Sequence, residues 1–107
     1  MMARADLFVS VVAPLHDDGT IVEAFLTELG ALLKSAYANY EIVLVDNASE
    51  DDTVARVEGL LGTVECVRLI RLSRSFGVEV AITAGLETSI GDFVVVMMPE
   101  TDPPALI

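Results

Sequence analysis

The chain has 107 residues, 53% hydrophobic and 21% charged, enough for one domain or part of one and apolar enough for a packed core, which excludes a disordered tail. Seventeen acidic against six basic residues give a net charge of −11, which disfavours nucleic acid and anionic membrane surfaces as partners. A lone cysteine, Cys66, rules out an internal disulfide, and a lone histidine, His16, argues against a multi-histidine metal site.

Residues 7–13 form an apolar run that reads as a buried strand closed by Pro14. From residue 20 to about 36 the apolar positions Ile21, Val22, Phe25, Leu26, Leu29, Leu32 and Leu33 fall on one helical face. Thr20 with Glu23 forms a capping box at its start. A second strand covers residues 41–45 and ends at Asp46. Ser49 then caps a helix over about 50–61, with Glu50, Asp51 and Asp52 in its first turn and Val54, Val57, Leu60 and Leu61 facing inward. A third strand spans 64–72, a third helix runs from about Gly77 to Ile90, and a fourth strand spans 93–98. Asp102 followed by Pro103 looks like the N-cap and first residue of another helix.

Alternating strands and helices predict a Rossmann-like three-layer α/β/α fold with a parallel sheet in strand order 3-2-1-4. The order reverses between strands one and four, and ligands bind at the carboxyl ends beside such a reversal. Four loops meet there: His16-Asp17-Asp18, Asp46-Asn47-Ala48-Ser49, Ser73-Arg74-Ser75-Phe76-Gly77 and Met97-Met98-Pro99-Glu100. Their carboxylates, amides, arginine and helix start suit a nucleotide-like ligand.

The chain resembles the family 2 glycosyltransferases of GT-A fold, nearest to the polyprenyl-phosphate (dolichyl-phosphate-mannose-synthase-like) branch. Residues 9–18 are similar to the family's VSVVIPVYNEE, residues 45–53 to VDDGSTDGT and its VDNAS variant, and residues 71–77 to RLSRNFG. Ala84-Gly85-Leu86, Gly91-Asp92 and residues 102–107 are similar to AGL, GD and DPPELI. Five motifs in order and spacing carry the resemblance from Val9 to Ile107.

The resemblance implies the nucleotide-binding half of an inverting transferase that moves a sugar from a nucleotide diphosphate to an acceptor such as a polyprenyl phosphate. That is chemistry of cell-wall or polysaccharide biosynthesis. Asp46 would hydrogen-bond the base, with Asn47 and Ser49 of its loop beside it. Asp18 and Pro14 would line the nucleoside pocket, and Arg74 would stand near the diphosphate. The family holds magnesium or manganese on an Asp-x-Asp after the fourth strand. Here those two positions are Met97 and Pro99, which cannot ligate a hard cation, and Glu100 is the nearest carboxylate. The usual metal site is therefore in question. Ser75 and Val78 also depart from the usual Asn and Lys. The family's acceptor half, with its catalytic base, has no counterpart in these residues, so no catalytic residue is assigned and residues 1–107 read as one truncated domain, inactive alone.

Plainer roles compete at each position. Asp46 suits an Asx turn, and Asp17 and Asp18 suit a solvated turn beside Gly19. Arg74 could pair with Glu79, and Arg68 and Arg71 read as strand-surface charges. His16 reads as packing, Cys66 as a buried thiol, and Met97 and Met98 as core or interface filler. An uncovered fourth strand would favour a homodimer through the sheet edge. Loss of the Asp-x-Asp also motivates a degenerate, non-catalytic binding module on the same scaffold. A phosphoacceptor receiver domain is set aside, because Lys34, the one lysine, lies within the first helix and a fifth strand is missing. No run reaches the roughly 18 apolar residues of a membrane span, and the N-terminus lacks a signal peptide's pattern. A cytoplasmic chain follows, membrane-associated if a missing C-terminal region carries an anchor.

Overall fold

The computed structural model describes the backbone of residues 5–102 and the side chains of residues 7–102. The first helical turn expected at Pro103 lies outside those residues. Seven elements follow in order: β1 (Ala5–Leu15), α1 (Val22–Ala36), β2 (Tyr37–Asp46), α2 (Thr53–Leu60), β3 (Val67–Arg71), α3 (Val78–Thr88) and β4 (Phe93–Val96). The strands make one sheet in the order β3-β2-β1-β4, and every pairing is parallel. This is the expected architecture.

Alternation along β1 and β2 sends side chains to two faces. Val9, Val11, Ala13 and Leu15 join Ile42 and Leu44 under α1 and α2, where Val22, Phe25, Leu26, Leu29, Leu33 and Val57 close the larger core. Val12, Val43 and Val45 meet Ala81 of α3 on the opposite face. Each fully buried aliphatic side chain contributes about 1.5–3 kcal/mol. Gly85 lets α3 lie close to the sheet, since a Cβ there would overlap Val12 Cγ1. β4 differs: Phe93, Val94, Val95 and Val96 are all exposed among the described residues.

Several boundaries move for identifiable reasons. β1 continues through Pro14, which stands opposite Val45, to Leu15. Val12 directs its carbonyl to β4, accepting from Met97 N at 2.9 Å. Pro14 has the same parity, and β4 has ended by then, so its missing N–H breaks no ladder bond. The expected capping box does not form: α1 has no side-chain cap. The Asp18 carbonyl accepts from Ile21 N and Val22 N, while Glu23 is drawn away by Arg56 at 2.8 Å.

Ser49 does not cap α2. The amides of Glu50 and Asp51 are held by Asp17 Oδ1, so the helix starts at Thr53, where Asp51 accepts from both the Thr53 amide and its hydroxyl. The three acids therefore precede the helix, and Leu61 is exposed rather than inward. β3 begins later than expected because the chain turns over residues 61–66. Thr63 N and Val64 N both donate to the Leu60 carbonyl, and Cys66 takes a left-handed φ of 63°. Cys66 is consequently exposed, not the buried thiol its apolar neighbours suggested.

Arg68 is also not a simple surface charge. Its guanidinium donates to Glu41 Oε1 at 2.6 Å and to the Thr88 carbonyl at 2.7 Å. Glu41 is 6% exposed and accepts on its other oxygen from the Ser10 hydroxyl at 2.5 Å and from Ile90 N at 2.8 Å. Burial alone would push this carboxyl up; the Ser10 hydroxyl, the Ile90 amide and Arg68 together outweigh it and leave it below the ordinary glutamate range. The network ties β1, β2 and β3 to the end of α3.

Candidate functional site

β1, β2 and β3 end in register, with Leu15 opposite Asp46 and Asp46 opposite Arg71. The loops after them meet the loop after β4 around a cleft of about 330 Å³. It opens at the carboxyl ends of β1 and β4, where the strand order reverses. Pro14, Asp18, Asn47 and Glu100 line it, as do Phe76, Val78, Met98 and Thr101. Its wall is thus largely apolar with a few polar groups, the usual make-up of a small-molecule site.

The first two loops are stitched together by side chains acting on backbone. Asp17 has a φ of 52°, its amide donates to Ser49 Oγ at 2.9 Å, and its carboxylate accepts from Glu50 N at 2.7 Å. Asp17 is therefore a loop brace and not merely a solvated acid. Gly19 N donates to Asp51 Oδ2 at 3.0 Å. His16 Nδ1 lies 2.7 Å from the Asn47 carbonyl. That carbonyl stabilises a protonated ring, and the nearby aspartates add to it, so the imidazole is held above its ordinary value.

The residues expected to touch a ligand divide into two groups. Pro14, Asp18, Asn47 and Glu100 reach the cleft. Asp46, 3% exposed, spends both oxygens on Ser49: Oδ2 accepts from its amide at 3.1 Å and Oδ1 from its hydroxyl at 2.6 Å. This is an Asx turn. Arg74 stands beside the cleft with its guanidinium 4.6 Å from the centre of the Phe76 ring, a cation–π contact, and no ion pair with Glu79 forms. Phe76 is a lining residue that sequence reasoning did not single out; an aromatic between Arg74 and Gly77 in a carboxyl-edge loop was the available signal.

Asp18 is the unusual acid here. It is 4% exposed and its carboxylate accepts from His16 N at 2.9 Å. Burial drives its carboxyl up to about 6; the His16 amide opposes this, and the hydrogen bond that the protonated Asp18 carboxyl donates to the neighbouring Glu100 carboxylate adds to the rise. The pair bridges the loop after β1 to the loop after β4.

The donor set does not fit the family's Asp-x-Asp metal. Met97 is 2% exposed and packs in the larger core, and Pro99 offers no side-chain ligand. Asp102 accepts from Met98 N at 2.8 Å. Among the described residues no three His, Cys, Asp or Glu side chains converge as a cation would need. Among them, too, no helix is long and apolar enough to cross a membrane.

Residues 10–97 match the profile of glycosyl transferase family 2. The chain belongs to that family. CsbB of Bacillus subtilis is 32% identical over 99 residues, covering 92% of this chain and 30% of CsbB. The undecaprenyl-phosphate 4-deoxy-4-formamido-L-arabinose transferase of Aeromonas hydrophila is 33% identical over 91 residues, covering 83% of this chain and 28% of that enzyme. The chain thus spans under a third of the length of these relatives. Among solved structures, the mannosyltransferase PcManGT of Pyrobaculum calidifontis, in complex with GDP-mannose and Mn²⁺, superposes with a TM-score of 0.80 at 22% identity, covering 90% of this chain and 28% of its own. Mannosyl-3-phosphoglycerate synthase of Rubrobacter xylanophilus superposes with a TM-score of 0.74 at 24% identity, covering 89% and 31%. At these identities the structures establish the shared fold.

Proposed function

We propose that these residues form the nucleotide-sugar-binding part of an inverting glycosyltransferase whose acceptor is a polyprenyl phosphate. The observation that carries the reading is the cleft at the carboxyl ends of β1 and β4, lined by Pro14, Asp18, Asn47 and Glu100. Family membership supports sugar transfer, and the Aeromonas hydrophila relative, named for transfer involving undecaprenyl phosphate, supports the acceptor class. In this reading the apolar wall takes the base and the ribose, and the polar groups orient them. The chemical step belongs to an acceptor half beyond these residues, so the isolated chain binds donor without turning it over.

A second reading has its own observation. Met97 and Pro99 stand where the family's metal-binding aspartates fall, which favours a binding module that has lost transfer chemistry. No step is routed through a metal in either reading.

Equilibrium dialysis with labelled UDP-glucose and GDP-mannose tests the proposal. Saturable binding of one donor at one site is expected. Val78→Trp, which fills the cleft from an exposed position, is expected to abolish binding while the circular dichroism spectrum is retained. Binding that survives Val78→Trp would place the donor elsewhere.

A further inference from the structure

Asn47 was expected to touch the nucleotide, yet its polar atoms are already engaged. Its amide donates to the Leu15 carbonyl at 2.7 Å, and its carbonyl lies 2.7 Å from His16 Nδ1. Its side chain forms a reciprocal pair with the backbone of Phe76. Nδ2 donates to the Phe76 carbonyl at 2.7 Å, and Oδ1 accepts from the Phe76 amide at 2.8 Å. The side chain thus imitates an extended strand partner for one residue. The opposite amide orientation would set donor against donor and acceptor against acceptor, so the network dictates the assignment. Asn47 is 7% exposed, and these bonds join the loops that follow β1, β2 and β3.

The chemistry of the clamp is specific to a carboxamide. A carboxylate at position 47, as in the VDDGS form of the motif, could accept from the Phe76 amide but would repel its carbonyl. Alanine could do neither. Phe76 is the aromatic wall of the cleft, and Arg74 stacks on its ring. We infer that Asn47 is a positioning residue: it acts through Phe76, holding the ring where a nucleobase stacks and fixing Arg74 at the rim where phosphate would lie. The inference rests on the nucleotide-binding reading for its ligand, and on the two hydrogen bonds for its geometry.

Two measurements separate these parts. Hydrogen exchange followed by NMR, on the chain without nucleotide, reads the clamp itself. Asn47→Ala is expected to speed exchange of the Phe76 amide by about tenfold or more relative to the Val43 and Val45 amides, whereas Asn47→Asp leaves it protected. Calorimetry with UDP and GDP reads the consequence. Asn47→Ala is expected to weaken the nucleotide that binds by about fivefold, the size of one net hydrogen bond, and Asn47→Asp by a smaller factor. Unchanged Phe76 exchange in Asn47→Ala would overturn the clamp. Faster exchange with unaltered affinity would overturn its positioning role. If neither nucleotide binds the unsubstituted chain, the proposed function and the ligand role of Asn47 fall together, while the exchange result still decides the clamp. Should Asn47→Ala fail to fold, Asn47→Asp alone carries the test: affinity equal to that of the unsubstituted chain would refute the need for the donor half.

Discussion

Two buried carboxylates sit in different regions of one sheet and are treated in opposite ways. Glu41, on the α3 face, receives a guanidinium, a hydroxyl and a backbone amide, and its carboxyl falls below the ordinary range. Asp18, at the carboxyl edge, receives one backbone amide, faces a second carboxylate, and rises to about 6. The first environment satisfies a charge and holds elements together. The second leaves a charge under-compensated beside a cleft, the condition under which a site gains when a ligand arrives. Similar burial therefore serves structure in one region and, in the proposed reading, ligand binding in the other.

The sharpest way to break this contrast is to remove the satisfied acid. Glu41→Ala strands the Ser10 hydroxyl and the Ile90 amide and frees Arg68, and is expected to cost about 3 kcal/mol in urea unfolding. A loss under about 1 kcal/mol would mean that water replaces the carboxylate without penalty.

Acidity sharpens the contrast next. The folded chain holds the Asp18 proton more tightly than the unfolded chain, where the value is 3.8. This group therefore adds stability as pH falls from about 7 towards 4, and withdraws it as pH rises through about 6. Glu41 has the opposite sign: its contribution is present above its unfolded value of 4.5 and is lost as pH falls through the lower folded one. Asp18→Asn keeps an acceptor for His16 N and is expected to raise stability at pH 7 by about 2 kcal/mol while flattening the pH profile between 4 and 7. Parallel profiles for the two proteins would remove Asp18 as the source.

The smallest effect concerns the loop that joins the regions. Ala48 has a φ of 54°, in the left-handed region where glycine is at ease. Ala48→Gly is expected to stabilise the fold by about 0.5 kcal/mol, the relief of strain exceeding glycine's entropy cost. A lower thermal midpoint would show that the turn is unstrained.

Much of the fold was legible because apolar runs and helical spacing are local signals. Strand order followed from the parallel α/β pattern. What was not legible depends on partners distant in sequence. Glu23 leaves its capping box for Arg56, 33 residues on, and Arg68 finds Glu41, 27 residues back. Asn47 falls in the right loop, but its engagement with Phe76, 29 residues on, appears only once the loops meet, whereas the Asx turn from Asp46 to Ser49 is local and legible in the sequence. Ile42, Val43, Leu44 and Val45 have no exposure while Val94, Val95 and Val96 are exposed, although the residue types are alike. Composition predicts a strand; its neighbours determine its burial.

An ¹⁵N–¹H NMR titration of the chain with UDP and with GDP tests the central claim most directly. Saturable shifts at the amides of Asp18, Asn47, Phe76 and Glu100, with those of Ser10, Glu41 and Arg68 unmoved, are the predicted result. Shifts centred on the Glu41 network, or none with either nucleotide, would contradict it.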